Sequence, residues 1–272
     1  MTSPDQHKPE RTMVRLEVAD QVATITLDCA EKRNAFDPVL REQLANAVRQ
    51  VRRDASIRAV VITGAGGHFC AGGDITNIAA LDIDAGQWRQ RMEGLHEWLR
   101  ELLTLDRPVI AAVDGAAAGA GFSLALAADF VLATPRAWFC MSFIKIGLVP
   151  DAGAFYTLPR VVGVQRAREI MLSGRDVRAP EAQQLGIVSE IVAPEALLPR
   201  AQAIARSFVG ASPTAVGLIK RTLDNGAPSL AQALDAEASA QAVAAGTAAH
   251  RDAVNAFLNK QPLPFRWPTR QD

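Results

Sequence analysis

The sequence predicts an α/β fold in which parallel strands alternate with crossover helices. Two short apolar runs, residues 58–63 and Val109–Val113, consist mainly of Val, Ile and Ala and are typical of buried strands. Between them, apolar residues recur every three or four positions, which indicates a long helix. Strand, helix and strand at this spacing favour parallel pairing, because parallel strands need a crossover segment between them.

Length and charge limit the class of protein. With 272 residues and a mass of 29.1 kDa, the chain allows one large domain or two small ones. The 29 Lys and Arg residues balance the 29 Asp and Glu residues, so nothing in the total charge favours nucleic acid or a membrane surface. No run of about 20 apolar residues occurs, so no membrane-spanning helix is predicted.

The cysteines show neither a disulfide framework nor zinc-ligand spacing. Cys29, Cys70 and Cys140 are widely separated, which indicates a reducing compartment. Residues 1–12 are polar and lack the apolar core of a signal sequence, so we expect a disordered tail and a cytoplasmic protein. No metal site is predicted, because three of the histidines share no ligand spacing with one another: His7, His68 and His250.

The first elements are a hairpin and a helix. Residues 14–27 alternate and then become continuously apolar, which predicts two short strands joined around residues 19–21. Asp37 followed by Pro38 is a typical helix start, and helical spacing of apolar residues extends that helix to about residue 53. The strand of residues 58–63 follows it.

The next helix is predicted over residues 83–103. His96 lies on or beside its apolar stripe, where a core or interface histidine is the favoured interpretation over a direct role in chemistry. After the strand Val109–Val113, small residues over 116–121 form a turn, and residues 122–128 have helix-forming composition. The start of that helix offers free backbone N–H groups to an anion. The apolar stripe of the 83–103 helix consists of Trp88, Met92, Leu95, Leu99 and Leu102.

The second half of the chain contains further strands and then becomes helical. Beyond Pro194 it is rich in Ala, with one break at residues 226–228. Strands are predicted at 130–133, 137–140 and 187–192, and helices at 155–162, 164–173, 181–185, 197–208, 213–223, 230–245 and 250–259.

Several ordered motifs resemble the crotonase superfamily, the enoyl-CoA hydratases and isomerases. They are Glu-Lys-Arg-Asn-Ala at 31–35, Phe-Cys-Ala-Gly-Gly-Asp at 69–74, and the stretches 109–151 and 179–188. The resemblance covers about residues 12–260. It implies a spiral of ββα units over residues 13–195 and a C-terminal helical trimerisation region over 196–272, which packs subunits into trimers or dimers of trimers.

The resemblance also implies an acyl-CoA thioester substrate, so coenzyme A is part of the substrate and no separate cofactor is expected. Relatives hold the thioester oxygen with one backbone N–H from each of two turns, at positions that correspond to Ala71 and Ala120 here. Two preset donors stabilise the charge that develops on this oxygen when a neighbouring proton is removed. Relatives usually have Gly at the second position, but a main-chain donor also permits Ala120.

This chain departs from the hydratases at both of their catalytic glutamates. The corresponding residues are Ser123 and Phe143, so paired carboxylates are absent and simple hydration is disfavoured. Asp151 stands where several isomerases and dehalogenases of the superfamily use Asp, and residues 148–153 most resemble the phenylacetate-type isomerases. The alternative interpretation of Asp151 is a solvated loop residue or a helix N-cap. If neighbouring apolar residues line its pocket, desolvation raises its pKa: Phe139, Phe143, Leu148 and Phe155.

Other contacts to the substrate are implied by the same resemblance. Lys32 and Arg33 match a position that contacts the nucleotide of CoA, and Lys260 matches a lysine that reaches CoA on a neighbouring subunit; ordinary surface charge is the alternative for each. Asp74 is favoured as a residue that holds its own turn. The remaining residues expected to line the substrate site are Ala35, Gly72, Gly73, Asp74, Ile75, His96, Ser123 and Phe143. The arginines at 41, 49, 52 and 53 are interpreted as a solvated helix face rather than an RNA-binding surface.

The predicted function is therefore an enoyl-CoA isomerase that shifts a double bond through a thioester enolate, with Asp151 as the proton shuttle. One alternative is a hydratase or lyase with a different base. Another is a CoA-binding or RNA-binding homologue without turnover.

Overall fold

The computed structural model describes residues 11–269, and its strands form two sheets. The predicted tail, residues 1–12, lies outside the described residues except for its last two. The nine strands are β1 Val14–Ala19, β2 Val22–Leu27, β3 Ala59–Gly64, β4 Val109–Val113, β5 Ala116–Ala118, β6 Phe130–Ala133, β7 Trp138–Cys140, β8 Asp176–Arg178 and β9 Glu190–Ile191.

Ten α-helices accompany these strands in the described part of the chain. They are α1 Pro38–Arg53, α2 Ile75–Ala79, α3 Ala85–Leu103, α4 Ala120–Leu126, α5 Ala154–Ser173, α6 Ala179–Gln184, α7 Pro194–Ser207, α8 Pro213–Asn225, α9 Leu230–Ala245 and α10 Ala248–Leu258.

The main sheet has the order β1-β2-β3-β4-β6-β9. Strands β1 and β2 form the predicted antiparallel hairpin, and every later neighbour pairs in parallel. The smaller sheet has the order β5-β7-β8, in which β5 and β7 are parallel and β8 is antiparallel. These sheets with their crossover helices confirm the predicted α/β class.

The central strands of the main sheet are buried on both faces. On β3, Val60 and Ile62 belong to the larger core, whereas Val61 belongs to a smaller core on the other side. Helix α7 contributes Leu197 and Ile204 to that smaller core. Because α7 covers the second face, the core continues past residue 195, where the sequence suggested that a separate helical region begins.

Helix starts follow local capping chemistry. Asp37 caps α1, since its side chain accepts a hydrogen bond from the Leu40 N–H, as predicted. Helix α3 begins at Ala85 rather than at residue 83, because Asp84 and Gln87 form a reciprocal capping box. The short helix α2 was not predicted.

Three other elements differ from the sequence interpretation. Residues 116–118, interpreted as a turn, form β5, and β8 was missed entirely. The strand expected over 187–192 is reduced to β9.

Helix α5 is interrupted at Gly163, which has a φ of 77° and ψ of 158°, so the prediction of two helical pieces is confirmed.

The last three helices bury little of their apolar surface within the chain. Only Gly217 is buried in α8 and only Ala256 in α10, while α9 has no buried residue among those described. No helix within residues 11–269 has the length and apolar character needed to cross a membrane. The exposed apolar side chains on these helices include Ile219, Leu223, Leu230, Leu234, Val243, Val254, Phe257 and Leu258.

We expect Gly121→Ala to destabilise the protein by more than about 2 kcal/mol, because overpacking costs typically about 1–3 kcal/mol and here the obstacle is rigid backbone. A Cβ at Gly121 would lie 2.2 Å from the Cys70 carbonyl oxygen. Urea unfolding measures the change.

Gly94→Ala is the matched control for that substitution. Gly94 lies inside α3 with no atom within 4 Å of an added Cβ, so we expect about 0.5–1 kcal/mol of stabilisation from helix propensity. Equal effects of the two substitutions would show that backbone contact at Gly121 does not limit stability.

Candidate active site

Loops and helices surround a cavity of about 690 Å³. Its wall is largely apolar, which is usual for a site that binds a small organic ligand. Residues 71–73, helix α3, the 3₁₀ helix Ser142–Ile146 and the segment 148–156 supply most of the lining. Asp151 is the one acidic residue among the lining residues.

Two backbone turns meet at this cavity. Cys70 pairs with Ala117 of β5, and the Ala118 N–H donates to the Cys70 carbonyl at 2.9 Å. Gly72 has a φ of 93°, and a Cβ there would lie 2.6 Å from the Ala118 carbonyl oxygen. Only glycine combines this left-handed conformation with so close an approach. The contact places residues 71–73 beside the N-terminus of α4.

The N–H groups of the first turn are not equally available. The Ala71 N–H donates to the Arg33 carbonyl at 2.9 Å, and the Gly72 N–H donates to the Cys70 Sγ at 3.4 Å. Among residues 11–269, the Gly73 N–H has no acceptor. The prediction of Ala71 as the first donor is therefore wrong, since its N–H is already used within the protein.

The second turn supplies Ala120 as the first residue of α4. Its N–H has no acceptor within the described part of the chain, because an N–H in the first turn of a helix lacks an intrahelical partner. Gly73 and Ala120 both line the cavity. Two unpaired main-chain donors together provide the chemistry that stabilises a developing oxyanion.

Asp151 lines the same cavity, and its Oδ1 is buried without a hydrogen-bond partner in the described structure. Removal from water raises the pKa of Asp151 to about 6, against the opposing positive charges of Arg91 and Arg41. The alternative of a helix cap is wrong, because Gly153 is the N-cap of α5 and no side chain caps that helix. A buried carboxyl with a pKa near neutrality is suited to accept and return a proton.

The apolar neighbours expected around Asp151 are only partly at the cavity. Phe143, Leu148 and Phe155 line it, whereas Phe139 is fully buried in the larger core and faces elsewhere. Three of the four apolar residues that were expected to surround Asp151 therefore line its cavity.

The positions of the two hydratase glutamates do not supply a second acid or base. Ser123 is fully buried, does not line the cavity and donates its hydroxyl to the Gly119 carbonyl at 3.4 Å. Phe143 lines the cavity as an apolar wall. Asp151 is thus left as the carboxyl group available to a ligand there.

The expected CoA-contacting residues do not line this cavity. The Lys32 Nζ is 2.7 Å from the Asp74 Oδ2, and this hydrogen bond raises the pKa of Lys32. Asp74 also caps α2 through the Thr76 N–H, so it holds its own turn as predicted. Arg33 and Lys260 are exposed, Ala35 is buried, and none of the three lines the cavity.

Two other predicted contacts do line the cavity. Ile75, at the start of α2, is 54% exposed, and His96 on α3 is exposed rather than in the core. The interpretation of His96 as a core histidine is therefore wrong, and its alternative, an interface histidine, stays a prediction. Within residues 11–269, no three His, Cys, Asp or Glu side chains come together as a metal-binding group.

Sequence reasoning missed several cavity residues, among them Arg41 and Arg91. Both are half-buried, so the solvated-face interpretation of the first helix is wrong for Arg41. The helical spacing of both arginines relative to apolar residues could have identified them. Arg41 precedes Leu44 by three residues and Val48 by seven, so it lies on the apolar face of α1. Arg91 has the same relation to its own helix, three residues after Trp88 and four before Leu95.

We expect Arg91→Met to raise the pKa of Asp151 above about 6, because Arg91 opposes the effect of desolvation. A pH titration of the Asp151 carboxyl, followed by carbon NMR of labelled aspartate, measures it. Arg100→Met, on an exposed position of the same helix, is the control and should leave the pKa of Asp151 unchanged. An unchanged or lower pKa in Arg91→Met would show that the two charges do not interact.

Comparison with known proteins gives one consistent family. The model of the enoyl-CoA hydratase/isomerase family matches residues 17–268. A 1,2-epoxyphenylacetyl-CoA isomerase of Escherichia coli strain K12 is 39% identical over 250 residues, which cover 90% of this chain and 94% of that protein. A probable enoyl-CoA hydratase of Rhodobacter capsulatus is 37% identical, over 93% of this chain and 97% of that protein.

Solved structures agree with this result. An enoyl-CoA hydratase/isomerase from Cupriavidus metallidurans CH34 superimposes with a TM-score of 0.90 at 46% identity, covering 95% of this chain and 98% of that one. An enoyl-CoA hydratase from Polaromonas sp. JS666 gives a TM-score of 0.86 at 34% identity, covering 93% and 99%. The names of these relatives include both isomerases and hydratases.

Proposed function

The chain belongs to the enoyl-CoA hydratase/isomerase family, and from this premise we propose that it shifts a carbon–carbon double bond in an acyl-CoA thioester. The observation that carries the proposal is the unpaired, buried carboxyl of Asp151, whose pKa is raised to about 6 in the cavity. The simplest reaction of this class converts a 3-enoyl-CoA to a 2-enoyl-CoA. A ring isomerisation that passes through the same kind of enolate belongs to the same class.

The first step is removal of a proton from C2 of the substrate. Asp151 as carboxylate accepts this proton, and the electron pair of the C–H bond moves toward the thioester oxygen. The N–H groups of Gly73 and Ala120 donate to that oxygen and stabilise its negative charge. The product of this step is a dienolate that extends from the oxygen to C4.

The second step returns the proton at a different carbon. Asp151, now protonated, gives its proton to C4, and the double bond that was between C3 and C4 then lies between C2 and C3. A pKa near 6 suits both steps, because the group must accept and release a proton at neutral pH. The reaction conserves every atom of the substrate, so it needs no cofactor beyond the coenzyme A that the substrate carries.

Hydration is the main competing reaction for a member of this family. It needs one group to activate water and another to deliver a proton, which paired carboxylates would do. Here the two positions are a buried serine and an apolar wall residue, Ser123 and Phe143. This difference supports isomerisation over hydration.

We also propose that the chain assembles into a trimer or a dimer of trimers. The support is the apolar surface that α8, α9 and α10 leave uncovered in the single chain. Burial of such surface is the main favourable term in subunit association. Light scattering should give a mass three or six times that of the 29.1 kDa chain. A mass of one chain at micromolar concentration would contradict the assembly.

We expect Asp151→Asn to lower kcat for a 3-enoyl-CoA by about 10²–10⁴-fold, the usual contribution of a general base. The amide has nearly the same shape but cannot accept the C2 proton. Formation of the conjugated 2-enoyl thioester, followed by its ultraviolet absorbance, measures the rate.

Asp20→Asn is the matched control, because Asp20 is exposed in the β1–β2 turn with a φ of 49°, which Asn tolerates. It should keep the wild-type rate. Full activity in Asp151→Asn would rule out Asp151 as the proton shuttle.

The acid limb of the wild-type pH profile should report the pKa of Asp151. Only the carboxylate accepts a proton, so kcat/KM should rise with pH through about 6 and then level off. At one pH unit below that pKa, about a tenth of the plateau rate should remain. The residual activity of Asp151→Asn should lack this limb. If Asp151→Asn showed the same acid limb, the limb would report the pKa of another group and not that of Asp151.

A further inference from the structure

Arg41 and Arg91 place two positive charges in the wall of the cavity, and no acidic side chain among residues 11–269 forms an ion pair with either. Arg91 stacks over the Trp88 ring, with its guanidinium carbon 5.8 Å from the ring centre, a contact that leaves its N–H donors free. Neither side chain makes a hydrogen bond or an ion pair with another residue of 11–269. The Arg91 Nε is buried and has no hydrogen-bond partner there. Arg89, a third arginine in the cavity wall, does have an acidic partner, since its Nε lies 3.0 Å from the Glu93 Oε1.

The two guanidinium groups also act on each other. Burial, and next the charge of Arg91, lower the pKa of Arg41 below its ordinary value. Two like charges partly removed from water without an acidic partner oppose folding, and buried charges in proteins are normally paired. The single acid of the cavity, Asp151, forms no ion pair with either arginine. The charge of the empty cavity is therefore unbalanced toward positive.

In the reaction proposed above these two charges act through space on Asp151, and no substrate atom is assigned to either of them. The thioester oxygen is assigned to the main-chain N–H groups of Gly73 and Ala120, which lie on the two turns. Arg41 comes from α1 and Arg91 from α3. Both arginines exert their charge on Asp151, which lies at the acyl part of the proposed substrate.

We propose that the acyl group of the substrate carries a carboxylate, which Arg41 and Arg91 bind inside the cavity. The inference rests on the proposed function in that it takes the cavity to hold an acyl-CoA. Guanidinium groups are well matched to a carboxylate, because they present planar, charged N–H donors to its two oxygens. A carboxylate at the far end of the acyl chain leaves C2 and C4 free to react near Asp151.

Binding of saturated thioesters tests this proposal without turnover. Isothermal titration would compare succinyl-, glutaryl- and adipoyl-CoA with butyryl-, pentanoyl- and hexanoyl-CoA, which match them in chain length. We expect at least one carboxylated thioester to bind about tenfold or more tightly than its methyl-ended partner, the effect of one charge-assisted hydrogen bond.

The single variants Arg41→Met and Arg91→Met should each remove most of that preference, because the carboxylated thioester should lose much more affinity than its methyl-ended partner. Arg100→Met, exposed on α3 and outside the cavity lining, should keep the wild-type preference. Circular dichroism confirms that each variant is folded, and the wild-type comparison stands even where one variant is not.

Each other outcome overturns a distinct claim. Equal or weaker binding of every carboxylated thioester by the wild type would overturn this inference and leave the isomerase proposal intact. A preference that survives in both arginine variants would also overturn it. Loss of affinity for both kinds of thioester in the variants would show that the arginines bind another part of the ligand. No binding of any acyl-CoA would overturn the proposed function together with this inference.

Discussion

The contact between the segment 69–73 and the strand and helix that follow β4 determines where the site lies. It is a contact of main chain on main chain, in which Gly72 approaches the Ala118 carbonyl and Gly121 approaches the Cys70 carbonyl. A side chain at either position would separate the two segments. Because the segments meet, two N–H groups from distant parts of the sequence, those of Gly73 and Ala120, border one cavity. A donor pair held by backbone packing needs little reorganisation when charge develops beside it.

The pKa of Asp151 depends on how the cavity wall excludes water. Apolar walls remove water from Asp151 and raise its pKa, while the two arginines limit that rise. If the arginines bound Asp151 directly, an ion pair would lower its pKa and make it a weak base. They lie close enough to act through space but make no ion pair with it. This arrangement keeps the pKa of Asp151 close to neutral pH. It also leaves both guanidinium groups available to a ligand.

The sequence predicted those parts of the fold that local signals determine. Strand β4, strand β6 and the cap at Asp37 were predicted correctly, because Val and Ile runs and Asp-Pro pairs act over short distances. Strand β5 was missed, since three alanines have little strand propensity and this strand depends on its neighbours Cys70 and β7.

The site shows the same limit of sequence reasoning. Its position and Asp151 could be predicted from motifs, but the choice between Ala71 and Gly73 could not, because it depends on a hydrogen bond to the Arg33 carbonyl from another loop. The two arginines could have been found as charges on apolar helix faces. Net charge gave no hint of them, since it averages over the chain and a cavity responds to the few groups that line it. In the proposed reaction, main-chain N–H groups would hold the thioester oxygen, whereas side chains would contact the acyl group. Such a division would let one scaffold keep its thioester chemistry while side chains such as Ser123, Phe143, Arg41 and Arg91 set which acyl group fits.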